Sequence, residues 1–149
     1  MIKLVYNVST PQLPLKAYEK SNEFKIYATD IGLTTALYGF ETQTALVNDI
    51  LKGPAKGGIY ENLVADIMAK RGYKLNYYKT ENASQEIEFL ITTNNGVIPI
   101  EVKAGNGASV SLNTFITEFT PNIAYKLITG NVGIAETKIT LPLYMAMFI

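Results

Sequence analysis

A predicted β-hairpin over residues 86–103 is the feature that most limits how this chain can fold. Two runs that alternate with the period of a strand, EIEFLI and VIPIEVK, flank Asn94, Asn95 and Gly96. Asn and Gly tolerate the backbone of a tight turn. With Asn94 and Asn95 as the loop, the facing pairs are Thr93 with Gly96, Ile91 with Ile98, and Phe89 with Ile100. A loop of Asn95 and Gly96 would slide these pairs by two and keep both faces, whereas a three-residue loop would turn the apolar set to the opposite face, which a half-buried hairpin should resist.

The same register predicts one apolar face and one charged face. Continued along both strands, it pairs Ile87 with Val102, Glu88 with Glu101, and Glu86 with Lys103. Like charges placed opposite each other destabilise a sheet, and such broken rules are most often found at functional sites. Two carboxylates in a small volume also suit a hard cation such as Mg²⁺. The alternative is that Lys103 only neutralises the acids, as a cross-strand ion pair on a solvated face.

The composition removes several kinds of chemistry. The 149 residues include no cysteine and no histidine, which excludes disulfides, zinc–thiolate sites and histidine-based triads. Catalysis would therefore depend on carboxylates, Lys, Tyr, Ser or the backbone, with an oxygen-ligated metal. The 13 basic residues balance the 13 acidic ones, so nucleic-acid binding would need a local patch.

No feature of the sequence indicates a membrane. No uninterrupted apolar run approaches the ~20 residues of a membrane span, and the first residues do not form a signal peptide. We therefore expect a cytoplasmic protein without membrane contact.

The remaining pattern predicts an α/β (α+β) fold in which helices flank a mixed central sheet. Strands are predicted at residues 2–8, 23–28, 73–79, 124–129 and 138–143. Helices are predicted after Asp30 and at residues 41–51, 58–71 and 111–119, with an apolar stripe at Leu46, Val47, Ile50 and Leu51 in the second of them.

A glycine- and proline-rich stretch, residues 53–58, is predicted to be a loop and the best internal boundary. Residues 1–56 would then be an N-terminal extension of short strands and helices that packs on a core formed by residues 57–149. Glu61 falls in the first turn of the helix predicted after this loop. It would either stabilise the helix dipole or add a third acid that faces the hairpin.

The order of these elements resembles the PD-(D/E)xK nuclease superfamily, which has the restriction-endonuclease-like fold. It is closer to the domain of unknown function that lies C-terminal to the ATPase in many prokaryotic AAA+-type ATPases. The segments that carry this resemblance are KIYATDIGL, GGIYENLVADIM, EIEFLI, IPIEVKAG, SLNTF and LPLYMA.

The resemblance implies a restriction-endonuclease-like core and a divalent-metal site acting on DNA. Glu88 and Glu101 match its acidic metal ligands, Lys103 its catalytic lysine, and Glu61 an additional helix acid. The backbone carbonyl of Val102 would be a further ligand, and Mg²⁺ or Mn²⁺ the cofactor. The family usually has Asp where Glu88 stands, which moves that ligand by about one bond length (~1.5 Å).

The resemblance leaves three functions open. The first is Mg²⁺-dependent cleavage of DNA. The second is a catalytically inactive nuclease-fold module that interacts with an ATPase domain or another protein and regulates it. The third is nucleic-acid binding without cleavage.

Overall fold

A β-sheet forms the centre of the computed structural model, which describes residues 2–105 and 107–149. The strands in this part of the chain are β1 (Ile2–Val8), β2 (Glu19–Ala28), β3 (Asn76–Lys79), β4 (Glu86–Thr93), β5 (Gly96–Val102), β6 (Ala124–Ile128), β7 (Gly133–Ala135) and β8 (Lys138–Pro142). The α-helices are α1 (Ile31–Leu37), α2 (Phe40–Val47), α3 (Gly53–Lys70) and α4 (Val110–Phe119). Short 3-10 helices occupy Leu15–Tyr18 and Leu143–Phe148.

The sheet is mixed, and its strand order is β2-β1-β3-β4-β5-β6-β8-β7. The pairs β1–β3, β5–β6 and β6–β8 are parallel, and the other neighbours are antiparallel. The predicted α/β fold with a mixed central sheet is therefore confirmed. The restriction-endonuclease-like character of the core stays a prediction.

Two helices cover the sheet and enclose two apolar clusters. Val64 and Met68 of α3 pack in one cluster with Phe89, Ile91 and Ile100 of the hairpin. The second cluster joins α4 to the hairpin through Leu112, Phe115, Ile87 and Leu90. Each fully buried side chain of this kind contributes roughly 1.5–3 kcal/mol, so the hairpin is fixed from both sides.

Of the two registers that the sequence leaves open, the structure has the one with Asn94 and Asn95 as the loop. The ladder between β4 and β5 runs from Thr93–Gly96 to Phe89–Ile100, with Ile91 opposite Ile98. Gly96 follows the two loop residues with a φ of 93°, which a residue with a side chain adopts only under strain.

The predicted loop at residues 53–58 was wrong, because these residues are the first turns of α3. Pro54 lies at the start of the helix, where its fixed φ is favourable and its missing N–H is no loss. Beyond it, Gly57 and Gly58 continue the helix although their intrinsic propensity is poor. None of residues 53–58 is buried, and the buried face of α3 begins at Ile59, so these residues extend the N-terminus of a helix that is anchored further along.

The predicted apolar stripe of the second helix is not buried. Helix α2 ends at Val47, before Ile50 and Leu51, and neither α1 nor α2 contains a buried residue.

Among the described residues, no helix combines the length and the apolar character that crossing a bilayer requires.

The first two strands belong to the same sheet as the rest of the fold. Strand β1 pairs in parallel with β3 and in antiparallel fashion with β2, and residue 56 lies within α3. The division into residues 1–56 and 57–149 stays a prediction.

Asn62 joins the end of β2 to α3. Its side-chain oxygen accepts the N–H of Ala28 at 2.8 Å, and its side-chain nitrogen donates to the carbonyl of Ala28 at 3.1 Å. Because Asn62 is buried, this pair of bonds sets the distance between β2 and α3. The side chains that β2 presents to α3 are positioned by it.

We expect Asn62→Ala to lower the free energy of unfolding by about 1–3 kcal/mol, since it leaves a backbone donor and acceptor without partners. Urea denaturation of the variant and the wild type measures the difference. Asn131→Ala, at an exposed position, is the control and should change stability by less than ~0.5 kcal/mol. Equal stability of Asn62→Ala and the wild type would contradict this role.

Candidate active site

A β-bulge in β4 positions Glu88. The register between β3 and β4 shifts between Asn76 and Tyr78, so that Glu88 and Phe89 together lie opposite Tyr77 alone. An extra residue of this kind bends the strand and changes the direction of a side chain, and it often occurs beside active sites. The bulge therefore allows a charged side chain among the buried apolar residues of β4.

The bulge also breaks the predicted alternation of faces. Ile87 and Leu90 both belong to the cluster on the α4 side, whereas Phe89 and Ile91 belong to the cluster on the α3 side. The prediction that Ile87 shares a face with Phe89 was wrong. Two residues, Glu88 and Phe89, separate the two α4-side positions, where strict alternation would place one.

The two strands of the hairpin stop pairing next to Glu88. Their ladder ends at Phe89 and Ile100, and the Val102 N–H donates to Oε2 of Glu88 at 3.3 Å. The facing pairs predicted beyond this point were therefore wrong, because the Glu88 side chain takes the place of a backbone acceptor for the Val102 N–H. These pairs were Glu88 with Glu101, Ile87 with Val102 and Glu86 with Lys103.

Glu86 does not pair with Lys103, as the extended register predicted. It lies opposite Lys79 of β3, and its carboxylate contacts Lys79 at 3.0 Å and Lys25 at 2.5 Å. This acid therefore belongs to a separate group of charges, nearer to β2.

Glu101 is a fully buried acid without a hydrogen-bond donor. It lies on β5 in the interior of the sheet, with 0% of its surface exposed. Neither of its carboxyl oxygens accepts a hydrogen bond from any described residue, although the Lys103 ammonium lies 3.4 Å from Oε1 as an ion pair. Buried polar atoms are nearly always satisfied by protein, water or an ion, so this carboxyl is suited to an additional cation.

Lys103 connects the two buried acids. Its ammonium is 3.8 Å from Oε1 of Glu88 and 3.4 Å from Oε1 of Glu101. Its backbone N–H donates to the carbonyl of Leu127 at 2.8 Å, which holds the end of β5 against β6. Since 33% of its side chain is exposed, Lys103 reaches solvent while the acids beneath it do not.

The structure thus brings Glu88, Glu101 and Lys103 together, and it removes one interpretation of the pattern. With 8% of Glu88 and 0% of Glu101 exposed, the ion pair does not lie on a solvated face. An unpaired charge at such depth costs several kcal/mol, so the arrangement is not explained by surface solvation.

The environment of Glu88 makes it a weaker acid than usual. Burial raises its pKa to about 7, with smaller contributions in the same direction from Glu61 and Glu101, while Lys103 acts in the opposite direction. Near neutral pH this carboxyl therefore changes its charge readily, as catalytic acids and bases must.

Glu61 lies more than two turns after the start of α3 at Gly53. The predicted interaction with the helix dipole was therefore wrong, since that effect is confined to the first turn. The carboxylate instead accepts a hydrogen bond from the Tyr27 hydroxyl at 3.0 Å and lies 3.6 Å from the Lys25 ammonium. Its role as an additional acid of the site stays a prediction.

Lys25 is a residue of this region that sequence reasoning did not identify as functional. It projects from β2 and contacts both Glu61 and Glu86, and its ammonium lies 5.2 Å from the centre of the Tyr77 ring. Lys25 and the buried Tyr27 are two positions apart along β2, so their spacing in the sequence indicates that both side chains lie on the face toward α3. Nothing local in the sequence connects Lys25 to either acid.

The donor set suits a cation that keeps part of its hydration shell. No three His, Cys, Asp or Glu side chains within residues 2–105 and 107–149 group closely enough to hold a metal ion. Mg²⁺, however, is usually bound by one or two carboxylates together with waters and substrate phosphates. Glu88 and Glu101 supply two carboxylates, and the unpartnered oxygens of Glu101 fit such an ion.

The raised pKa of Glu88 predicts a pH dependence of stability in metal-free buffer. Between about 4.5 and about 7 the folded protein keeps a proton on Glu88 that the unfolded chain releases. The free energy of unfolding should therefore fall as pH rises through this window, by at most about 1.4 kcal/mol per pH unit from this group. Glu88→Gln should lack this decline and be more stable than the wild type above pH 7.

Urea denaturation at a series of pH values in the presence of a chelator measures this effect. Glu41→Gln, at an exposed position on α2, is the control and should follow the wild-type curve. Parallel curves for Glu88→Gln and the wild type would contradict the assignment.

Comparison with known protein families gives one match. Residues 56–144 match the family described as Domain of unknown function (DUF4143). Comparisons with curated proteins and with solved structures gave no significant match. The matched segment contains α3 from residue 56 onward, the hairpin, α4 and all the predicted site residues. Because it covers more than half of the chain, the chain belongs to the DUF4143 family.

Proposed function

We propose that this chain is a nuclease-like domain that hydrolyses phosphodiester bonds of DNA with the help of a divalent cation. The observation that carries the proposal is Glu101, a fully buried acid whose two oxygens have no hydrogen-bond donor among the described residues. It lies beside a second buried acid, Glu88, and both are within 4 Å of the Lys103 ammonium. Burying charge in this way is costly, and such costly arrangements are found mainly at functional sites.

In this proposal Glu88 and Glu101 hold Mg²⁺ or Mn²⁺, and the carbonyl of Val102 is a further predicted ligand. A bound divalent ion polarises a phosphoryl oxygen and lowers the pKa of a coordinated water. The hydrogen bond from the Val102 N–H fixes one oxygen of Glu88, which leaves Oε1 directed toward Lys103. The bulge at Glu88 allows a Glu to stand where the family that this chain resembles has an Asp.

Lys103 would contact the substrate. Its partly exposed ammonium can approach a phosphate from solvent while the two acids stay buried. In that position it stabilises the negative charge that develops on the phosphoryl group, or it orients the attacking water. A lysine suits this task because its charge is compact and its stem is flexible.

A cavity beside Lys79, lined by none of Glu88, Glu101 and Lys103, is a candidate path for the nucleic-acid strand. It has a volume of about 490 Å³, and Lys20, Lys79, Thr80 and Asn82 are among the residues that line it. Lys79 also pairs with Glu86, so the cavity and the charge cluster share a residue. Lysines and hydroxyl groups in such a position are typical contacts of a phosphate backbone.

A second candidate function is that of an inactive nuclease-fold module that binds an ATPase domain of a longer parent protein. The observation that favours it is the exposed apolar surface of α1 and α2, which bury no residue in this structure. Its members with more than half of their surface exposed are Leu33, Leu37, Phe40 and Val47. Apolar patches of this kind often mark protein interaction sites.

A cleavage assay separates the two functions. We expect the wild type to cut single-stranded or duplex DNA with Mg²⁺ or Mn²⁺, and Lys103→Met to cut at least ~100-fold more slowly, because a charge that stabilises the transition state is lost. The variant should still bind Mn²⁺ in a calorimetric titration, since both acids remain. Lys52→Met, which removes an exposed lysine before α3, is the matched control and should cut at the wild-type rate.

Two results would contradict the nuclease proposal. One is the absence of cleavage by the wild type with either metal on single-stranded, duplex and branched DNA, which would favour the interaction module. The other is equal cleavage by Lys103→Met and the wild type.

A further inference from the structure

Lys25 provides a positive charge between Glu61 and Glu86, two acids that lie beside the candidate site. Its ammonium lies 2.5 Å from Oε1 of Glu86 and 3.6 Å from Oε2 of Glu61, and it faces the Tyr77 ring. Only 23% of its side chain is exposed. One ammonium group therefore bridges an acid of β4 and an acid of α3.

The surroundings keep Lys25 charged. Burial alone would lower its pKa, but the nearby carboxylates of Glu61 and Glu86 outweigh burial and leave the pKa raised. The charge also acts on Glu88 at longer range. Lys25 is thus a permanent cation of this region near neutral pH.

The oxygens of the four clustered acids differ in their partners. Glu86 has a lysine at each oxygen, Lys25 at Oε1 and Lys79 at Oε2. Oε2 of Glu61 receives the Tyr27 hydroxyl and lies close to Lys25. Glu101 has two oxygens without a hydrogen-bond donor among the described residues. Two lysines, Lys25 and Lys79, therefore balance the charges of the two acids near β2. The two acids on the β5 side share a single lysine.

We infer that Lys25 is a tethered cation that occupies the Glu61–Glu86 side of the cluster, so that the domain takes a single divalent ion at Glu88 and Glu101 and leaves Glu61 outside its coordination. This inference rests on the proposed function, because it concerns the same metal site. Lys25 is a positioning residue in it. Its ammonium takes the place that a second metal ion would need, and it repels a cation that approaches Glu61.

The inference distinguishes this domain from enzymes that use two metal ions about 3.5–4 Å apart. A two-ion site needs a third carboxylate that is free to bind, and Glu61 is the acid on α3 available for that role. With Lys25 and Tyr27 bound to it, Glu61 would have to exchange both partners for the metal. The geometry thus favours a fixed lysine over an exchangeable ion.

Titration of the full chain with Mn²⁺, followed by calorimetry and by the electron paramagnetic resonance signal of free Mn²⁺, tests this inference. We expect the wild type and Glu61→Gln to bind one Mn²⁺ per chain with dissociation constants within about twofold of each other. Lys25→Met should bind a second Mn²⁺ or bind the first at least ~10-fold more tightly, since it frees Glu61 and Glu86. Lys25→Met combined with Glu61→Gln should return to the wild-type titration, and Lys25→Arg should retain it.

Two outcomes would overturn the inference. A loss of Mn²⁺ affinity of ~10-fold or more in Glu61→Gln would show that Glu61 is a ligand, and this test holds even if Lys25→Met does not fold. An unchanged titration of a folded Lys25→Met would show that its charge excludes no ion.

The same titrations distinguish this inference from the proposed function. If the wild type binds one Mn²⁺ and a folded Lys25→Met gives the same titration, the inference fails while the site at Glu88 and Glu101 stands. If Lys25→Met binds Mn²⁺ and the wild type binds none, the site at Glu88 and Glu101 is contradicted, and only the exclusion of cations by Lys25 is supported. If neither protein binds Mn²⁺, both are contradicted.

Discussion

The bulge at Glu88 and Phe89 is the constraint on which the candidate site depends. Strand β4 lies in the interior of the sheet and has apolar clusters on both faces, so a regular strand would leave no place for a carboxyl. The extra residue ends the ladder between β4 and β5, and the Glu88 side chain accepts the Val102 N–H that the ladder no longer uses. The gap between the strands is where Glu88, Glu101 and Lys103 meet.

Charge in this region is arranged as two connected groups. Glu88 and Glu101 share Lys103, while Glu61 and Glu86 share Lys25, and Glu86 also contacts Lys79. When Glu88 is ionised, four acids and three lysines leave one formal negative charge, which a proton on Glu88 cancels in the absence of metal. The oxygens of Glu101 are the ones without donors among the described residues. A buried group with excess negative charge is unstable unless a cation compensates it. This balance is the physical reason for placing a divalent ion at Glu88 and Glu101.

The sequence predicted the features that depend on local pattern. Asn94, Asn95 and Gly96 define the turn, and the turn sets the register as far as Phe89 and Ile100. It did not reveal the bulge, because Phe89, Leu90 and Ile91 form an unbroken apolar run. Where a strand is buried on both faces, apolar and polar residues do not alternate, so the sequence does not show toward which face each side chain points.

The other differences come from contacts between distant parts of the chain. The composition of residues 53–58 predicts a loop, yet they are the exposed first turns of α3, whose buried face begins at Ile59. Lys25 lies far from Glu61 and Glu86 in sequence. They come together because β2 lies at the edge of the sheet and is hydrogen-bonded to α3 through Asn62. Such long-range placement follows from tertiary packing and has no local sequence signature.

A crystal soaked in Mn²⁺ and measured for anomalous scattering tests the central claim most directly. The account predicts one Mn²⁺ peak within about 2.0–2.5 Å of carboxyl oxygens of both Glu88 and Glu101, with Lys25 still between Glu61 and Glu86. A peak between Glu61 and Glu86, or no peak at Glu101 in a fully soaked crystal, would contradict it.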